Sequence, residues 1–210
     1  MNITVFSFTK NGKDINIRLM DILKNNNISS YTMQKYLTDS RMKAFTDLKE
    51  TVKEHFNDDA IIFVGATGIA IRSIAPYVKD KFSDPAVLVI DELGRYVISL
   101  LSGHMGGANE LAEYIGGALG ATPIITTATD INGAFAVDVF AKKYNLIISS
   151  RKLAKDVSAA LLDKKAVDID SDIDGINVKD IKKKLNPLNE DCELRIRITD
   201  RVYDENVLAL

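Results

Sequence analysis

Apolar residues recur along the chain with two periods, and the switches between them mark the elements. Residues 3–8, Ile-Thr-Val-Phe-Ser-Phe, alternate and are β-rich, which predicts a strand closed by Asn11-Gly12; from Asp14 to about Lys24, Ile15, Leu19, Ile22 and Leu23 fall at helical spacing. Residues 31–34 predict a second strand, and Phe45, Leu48, Val52 and Phe56 predict one face of a helix starting near Ala44. The unbroken run Ala60-Ile-Ile-Phe-Val64 is the pattern of a strand covered on both faces. After Gly65-Ala-Thr-Gly68 comes a short helix that Pro76 is expected to perturb or terminate.

Residues 85–90 and 96–101 predict two strands joined by the turn Asp91-Glu-Leu-Gly94, with Gly94 supplying a positive φ. From Ala108, residues Leu111, Ala112, Ile115, Ala118 and Leu119 form a helical stripe. Gly116-Gly117 lets that helix approach a strand closely, Gly120 caps it, and residues 123–126 return to the sheet. Beyond Asp130 the character changes. Residues 135–144 predict a helix, Ser150 caps another that carries Leu153, Val157, Ala160 and Leu161, and residues 193–199 alternate as a strand. The fold class expected is α/β: a layered, largely parallel sheet domain over residues 1–130 and a second, smaller α/β domain over 131–210.

Composition narrows the class. An apolar fraction of 46% supplies a core, and 27 basic against 29 acidic residues leave a formal charge of −2. No basic field for nucleic acid follows from that balance. Cys192 is the single cysteine, which excludes an internal disulfide or a thiolate metal cluster. The first residues read as a strand, not a signal peptide, and no run of eighteen apolar residues suggests a membrane span. A cytoplasmic protein is expected, with no nucleic acid and no membrane as partners.

The chemistry concentrates in Asp91-Glu-Leu-Gly-Arg-Tyr-Val-Ile-Ser-Leu-Leu-Ser-Gly-His-Met-Gly-Gly-Ala-Asn-Glu110. His104 sits in a glycine-rich strand-to-helix bend; an imidazole there serves as general acid or base, or braces the loop. His55, the other histidine, lies at the edge of an apolar helix stripe. Asn109 and Glu110 open the following helix, where Glu110 favours the helix dipole and Asn109 either caps or donates to a carbonyl. Asp91 and Glu92 fall in a turn, where acids have local uses. Ser102 lacks the surroundings of a nucleophile elbow. Gly65-Ala66-Thr67-Gly68 binds an anion at a helix start or simply packs tightly, and Arg72, four residues on, can grip a carboxylate. The loop has neither the third glycine of a dinucleotide fingerprint nor the Lys-Ser/Thr of a P-loop. The acidic run over residues 167–175 fails as a calcium loop, because Ile181 stands where the bidentate Glu belongs, and predicts a solvated strand edge and turn.

Five segments taken together resemble the cobalamin-biosynthesis family CbiG: Gly65-Ala-Thr-Gly-Ile-Ala-Ile-Arg72, Asp84-Pro-Ala-Val87, Asp91-Glu-x-Gly-Arg95, Leu100-Leu-Ser-Gly-His-x-Gly-Gly-Ala-Asn-Glu110 and Ala121-Thr-Pro-Ile-Ile-Thr-Thr-Ala-Thr-Asp130. The remainder, down to Arg195-Ile-Arg-Ile-Thr-Asp-Arg201, is similar to the middle region of that family. The resemblance implies cobalt-precorrin-5A hydrolase activity, the opening of a δ-lactone on a tetrapyrrole with release of acetaldehyde. It also implies a further C-terminal region beyond Leu210, supplied by another chain or by a longer one. A non-catalytic corrinoid-binding or complex-forming module is the alternative. Cobalt arrives with the substrate, so no resident cofactor or protein metal site is expected. Partners are the cobalt-precorrin, the C-terminal region and other corrin-pathway enzymes. Chemistry then assigns His104 as base, with Glu110 or Asp91 as its partner and the amides of Gly106 and Gly107 as oxyanion donors; a second option makes His104 an axial ligand of the substrate's cobalt. Gly65, Thr67, Gly68, Arg72, Arg95, Ser102, Gly103 and Asn109 complete the substrate-holding set. The loop at residues 65–68 and the bend at residues 102–107 are expected to face one another across the strand ends as two walls of one site.

Overall fold

A computed structural model describes residues 1–80, 83–104, 106–131, 133, 135–187, 192–200 and 207–209. Arg201, which closes the resemblance to the middle region, lies outside them. The chain divides into two compact units, Met1–Thr126 and Thr127–Leu210.

In the first unit the elements run β1 (Asn2–Ser7), α1 (Lys10–Ile22), β2 (Asn27–Met33), β3 (Met42–Phe45), α2 (Leu48–Glu54), β4 (Ala60–Val64), α3 (Thr67–Ile74), β5 (Ala86–Ile90), β6 (Tyr96–Leu101), α4 (Ala108–Leu119) and β7 (Thr122–Ile124). The strands form a seven-stranded sheet ordered β3-β2-β1-β4-β5-β6-β7. All neighbours are parallel except β5 and β6. Strand residues alternate between two apolar layers. Ile3, Val5, Ile62, Leu88 and Ile90 pack with Ile15 and Leu19 of α1 and Ile115 of α4, whereas Phe6, Ile61, Phe63, Val87 and Val89 pack with Val52 of α2 and Ile74 of α3. Helices on both faces explain why β4 and β5 are apolar at every position.

Strand β2 starts at Asn27, four residues ahead of its expected start, and ends at Met33; two helix starts also move. Helix α1 begins at Lys10, because the Thr9 hydroxyl caps it by accepting the Gly12 N–H at 3.0 Å; Asn11-Gly12 belongs to its first turn. Ala44 and Phe45 lie in β3, which pairs with β2, and the helix starts only after Asp47, whose carboxylate takes the N–H groups of Lys49 and Glu50. Phe45 nonetheless joins Leu48, Val52 and Phe56 in one apolar cluster, so the stripe is real but shared by a strand and a helix. Gly116 of α4 has the predicted close approach, with a Cβ there 3.1 Å from the Ala121 carbonyl oxygen; Gly117 faces open space.

The second unit holds α5 (Ala128–Ile131), α6 (Val137–Lys143), α7 (Arg151–Leu162), β8 (Asp168–Ser171), α8 (Lys179–Leu185), β9 (Arg195–Ile198) and β10 (Val207–Ala209). Its three strands form a parallel sheet ordered β10-β9-β8. Ser150 caps α7 through the Leu153 N–H. The acidic run sits on the edge strand β8 and its following turn, where Asp170 and Asp172 pair with Arg197.

Candidate functional site

Strand order reverses between β1 and β4: the chain builds outward through β2 and β3 on one side, then returns to build β4 and β5 on the other. In such sheets the carboxyl ends at the reversal open a crevice. Residues 8–9, 65–66 and 91–94 leave the sheet on that edge. The Gly65 N–H donates to the Ile90 carbonyl at 2.8 Å, fastening the loop to the end of β5. A Cβ at Gly65 would stand 2.8 Å from the Phe8 ring, and one at Gly12 would stand 3.2 Å from the Val64 carbonyl oxygen. Ala66 gives α3 no capping side chain; in the first turn the Ile69 N–H donates to the Ala66 carbonyl at 2.9 Å, which leaves those of Thr67 and Gly68 as the ones with no acceptor inside the helix. Arg72 folds back one turn, and both terminal guanidinium nitrogens lie 3.3 Å from where a Gly68 Cβ would be. Cation and helix start together favour a carboxylate or phosphate beside Thr67 and Gly68. Placing the start of α1 too late hides Phe8, Thr9 and Gly12 from sequence reasoning; the available signal is Thr9, a capping residue type just ahead of a helical stripe.

Asp91 and Arg95 lie on the same edge. Asp91 accepts the backbone N–H groups of Leu93, Arg95 and Tyr96 at 2.9, 2.8 and 2.7 Å, so its carboxylate shapes the hairpin turn. The Arg95 side chain is exposed, and its carbonyl accepts the Thr122 N–H.

The bend containing His104 occupies the opposite edge. Strand β6 is antiparallel to β5, pairing Val97 with Ile90 and Leu101 with Val87, so it delivers the chain to the beginning of β5. The Ser102 hydroxyl donates to the Asp84 carbonyl at 3.1 Å, and a Cβ at Gly106 would approach the Ala86 backbone nitrogen at 3.3 Å. His104 is half-buried, its carbonyl accepting the Gly107 N–H. Gly107 takes the left-handed conformation at the start of α4 (φ 82°). A Cβ at Gly103 would stand 2.7 Å from the buried Asn109 side-chain oxygen, so Asn109 packs under the bend, and Glu110 is exposed in the first turn of α4.

The expectation of two facing walls is therefore corrected. The length of β5, five residues or about 13 Å, separates the Gly65 loop from the bend, with the sheet and its covering helices between them. Asp91, Arg95, Gly65, Thr67, Gly68 and Arg72 gather at one edge; Ser102, Gly103, His104, Gly106, Gly107, Asn109 and Glu110 gather at the other. Asp91 is excluded as a partner of His104 by this separation, because the reversal of β6 carries the segment across the sheet.

His55 has more partners than its position on a helix edge suggests. It ends α2, and its ring nitrogens lie 2.9 Å from the Tyr31 hydroxyl and 2.9 Å from an Asp58 carboxylate oxygen, which also accepts the Thr4 hydroxyl at 2.6 Å. Burial, reinforced by Glu54 and Asp58, pushes the Tyr31 hydroxyl above its ordinary pKa. Among the described residues no group of His, Cys, Asp and Glu side chains is arranged to hold a metal ion, and no helix is long and apolar enough to cross a membrane.

Residues 50–130 match the family model described as cobalamin synthesis G N-terminal, and residues 135–209 match the cobalamin biosynthesis central region. The Gly65 loop, the hairpin at residues 91–94 and the His104 bend fall within the first match; Phe8, Thr9 and Gly12 precede it. The chain belongs to the CbiG family. A protein named cobalt-precorrin-5A hydrolase in Salmonella typhimurium is 45% identical over 73% of the chain and 43% of its own length. One of the same name in Priestia megaterium is 44% identical over 51% of the chain and 29% of its own length. The crystal structure of a cobalamin biosynthesis protein G homolog from Sulfolobus solfataricus superposes with a TM-score of 0.56 at 26% identity, covering 99% of the chain and 59% of that structure. The chain thus spans less than half the length of the curated CbiG relatives it matches.

Proposed function

We propose that this CbiG chain takes part in hydrolysis of cobalt-precorrin-5A in cobalamin biosynthesis, opening the δ-lactone and releasing acetaldehyde to give cobalt-precorrin-5B. The observation that carries this reading is an imidazole held in a glycine bend beside the first turn of α4, within the segment that matches the family. His104 removes a proton from water as it attacks the lactone carbonyl. The Gly106 N–H is the donor assigned to the developing oxyanion; that of Gly107, also expected as a donor, is already given to the His104 carbonyl at 3.1 Å. Collapse breaks the ring C–O bond, leaving a carboxylate and an alkoxide that takes a proton. Loss of that hydroxyl proton then breaks the adjacent carbon–carbon bond: the carbinol carbon leaves as acetaldehyde, and the electron pair stays on the macrocycle, which is protonated. Glu110, exposed on the same edge, is the proton-accepting partner. Cobalt belongs to the substrate, and no resident cofactor is invoked. Axial ligation of that cobalt by His104 would occupy the same nitrogen lone pair and so excludes the base role in one complex. The cationic edge at Arg72 and Arg95 suits peripheral carboxylates, but a substrate seated at His104 does not reach it through the sheet. Hydrolysis is accordingly assigned to the histidine edge, and the compartment to the cytoplasm.

A second reading is favoured by length. Because the chain covers only 43% of the Salmonella relative, it can act as a corrinoid-binding module completed by a C-terminal region or by other corrin-pathway enzymes. Acetaldehyde release from cobalt-precorrin-5A separates the two. The hydrolase reading expects turnover by the chain alone and a loss of about 10²–10⁴-fold in His104→Ala. Binding without acetaldehyde until a C-terminal fragment is added would favour the module, and unchanged turnover in His104→Ala would remove the histidine from the mechanism.

A further inference from the structure

We propose that Ser102 and Asp84 are positioning residues that fix where the His104 imidazole stands. The proposal rests on the reading of His104 as base. Ser102 is buried and left-handed, with φ at 55°. A side chain there carries a conformational penalty that glycine avoids. Glycine is used nearby at 103, 106 and 107, where an added Cβ would collide or φ is positive. A serine kept at 102 therefore points to a use for its hydroxyl, which donates to the Asp84 carbonyl at 3.1 Å. Asp84 is itself held: it is buried, its carboxylate accepts the Lys79 N–H at 2.9 and 3.1 Å, and its own N–H donates to the Asp80 carbonyl.

The other limb of the bend closes onto the same residue. The Ser102 carbonyl accepts the Ala108 N–H at 3.2 Å, and the Gly103 carbonyl accepts the Asn109 N–H at 3.0 Å. A Cβ at Gly106 would run into the Ser102 side chain and stand 2.8 Å from its carbonyl oxygen. Both limbs flanking His104 are thus clamped to Ser102, and Ser102 is clamped to the loop preceding β5. The Ser102 proton faces a main-chain carbonyl instead of a base, which gives the hydroxyl an anchoring role and no nucleophilic one.

The test compares Ser102→Gly, which keeps the backbone conformation and removes the hydroxyl, with Asp84→Ala and the double variant, all in the full chain. Two readouts are taken: the ring ¹⁵N resonances of the two histidines across pH, with His55 as internal reference, and acetaldehyde release. The expected result is a displaced His104 resonance with His55 unmoved, a fall in kcat of about tenfold with KM within about twofold, and a double variant no worse than the poorer single one. An unmoved His104 resonance in folded Ser102→Gly overturns the proposal, as does full turnover in that variant while His104→Ala is inactive. If His104→Ala keeps full activity, the catalytic reading fails instead, and the resonance shift alone decides whether Ser102 positions the ring.

Discussion

Gly94 shows what a single residue decides here. It takes φ 67° in the turn between β5 and β6, and a Cβ would meet the Ile15 side-chain terminus at 2.8 Å. Ile15 can shift, so the conformational cost dominates. Gly94→Ala is expected to lower stability by about 1–3 kcal/mol, read from urea unfolding. Tyr31 gives a pH signature. Its pKa is raised above the ordinary 10.0 by burial first, then by the charges of Glu54 and Asp58. A group held protonated in the fold contributes fully below its unfolded value and loses that contribution as pH rises through the folded one. Stability should therefore fall above pH 10 more steeply in the parent than in Tyr31→Phe; parallel curves from pH 9 to 12 would show that this tyrosine is not responsible. Gly94 was legible because a turn between two apolar runs demands positive φ. The Tyr31 environment was not, since it needs His55 and Asp58 brought in from another element.

Elements carry a different lesson. Strands β4 and β5 are readable because short unbroken apolar runs fit a strand covered by helices on both faces. Helix α1 is less so, because its buried face is partly polar. Asn16 donates to the Ser7 hydroxyl and the Tyr31 carbonyl, both at 3.1 Å, and accepts the Ser30 hydroxyl at 2.9 Å. This fully buried cluster ties α1 to β1 and β2, and an apolar stripe gives no sign of it. Asn16→Ala leaves the buried Ser30 hydroxyl without its acceptor, while the Tyr31 carbonyl keeps the Ser7 hydroxyl at 3.2 Å, and is expected to cost about 1–3 kcal/mol. A loss well under that range in chemical denaturation would mean that water replaces the amide. The stripe of Phe45, Leu48, Val52 and Phe56 erred in the other direction: correct neighbours, but two elements.

At the scale of the molecule, the first unit stands on two apolar layers divided by one sheet, and Leu88 lies fully buried at the centre of β5. Leu88→Ala should destabilise that unit by about 2–5 kcal/mol, checked by urea unfolding and by amide exchange in β4 and β5. The sequence by itself determined the α/β class, the buried strands, the hairpin at residues 91–94, the capped helices and the membership in CbiG, because each rests on local periodicity, turn chemistry or contiguous motifs. Only the tertiary structure decided which motifs meet. Residues 91–110 are contiguous in the chain, yet β6 runs antiparallel to β5 and carries His104 to the edge opposite Asp91 and the Gly65 loop. Proximity along the chain fixes composition, whereas strand direction fixes the edge of the sheet on which a side chain works.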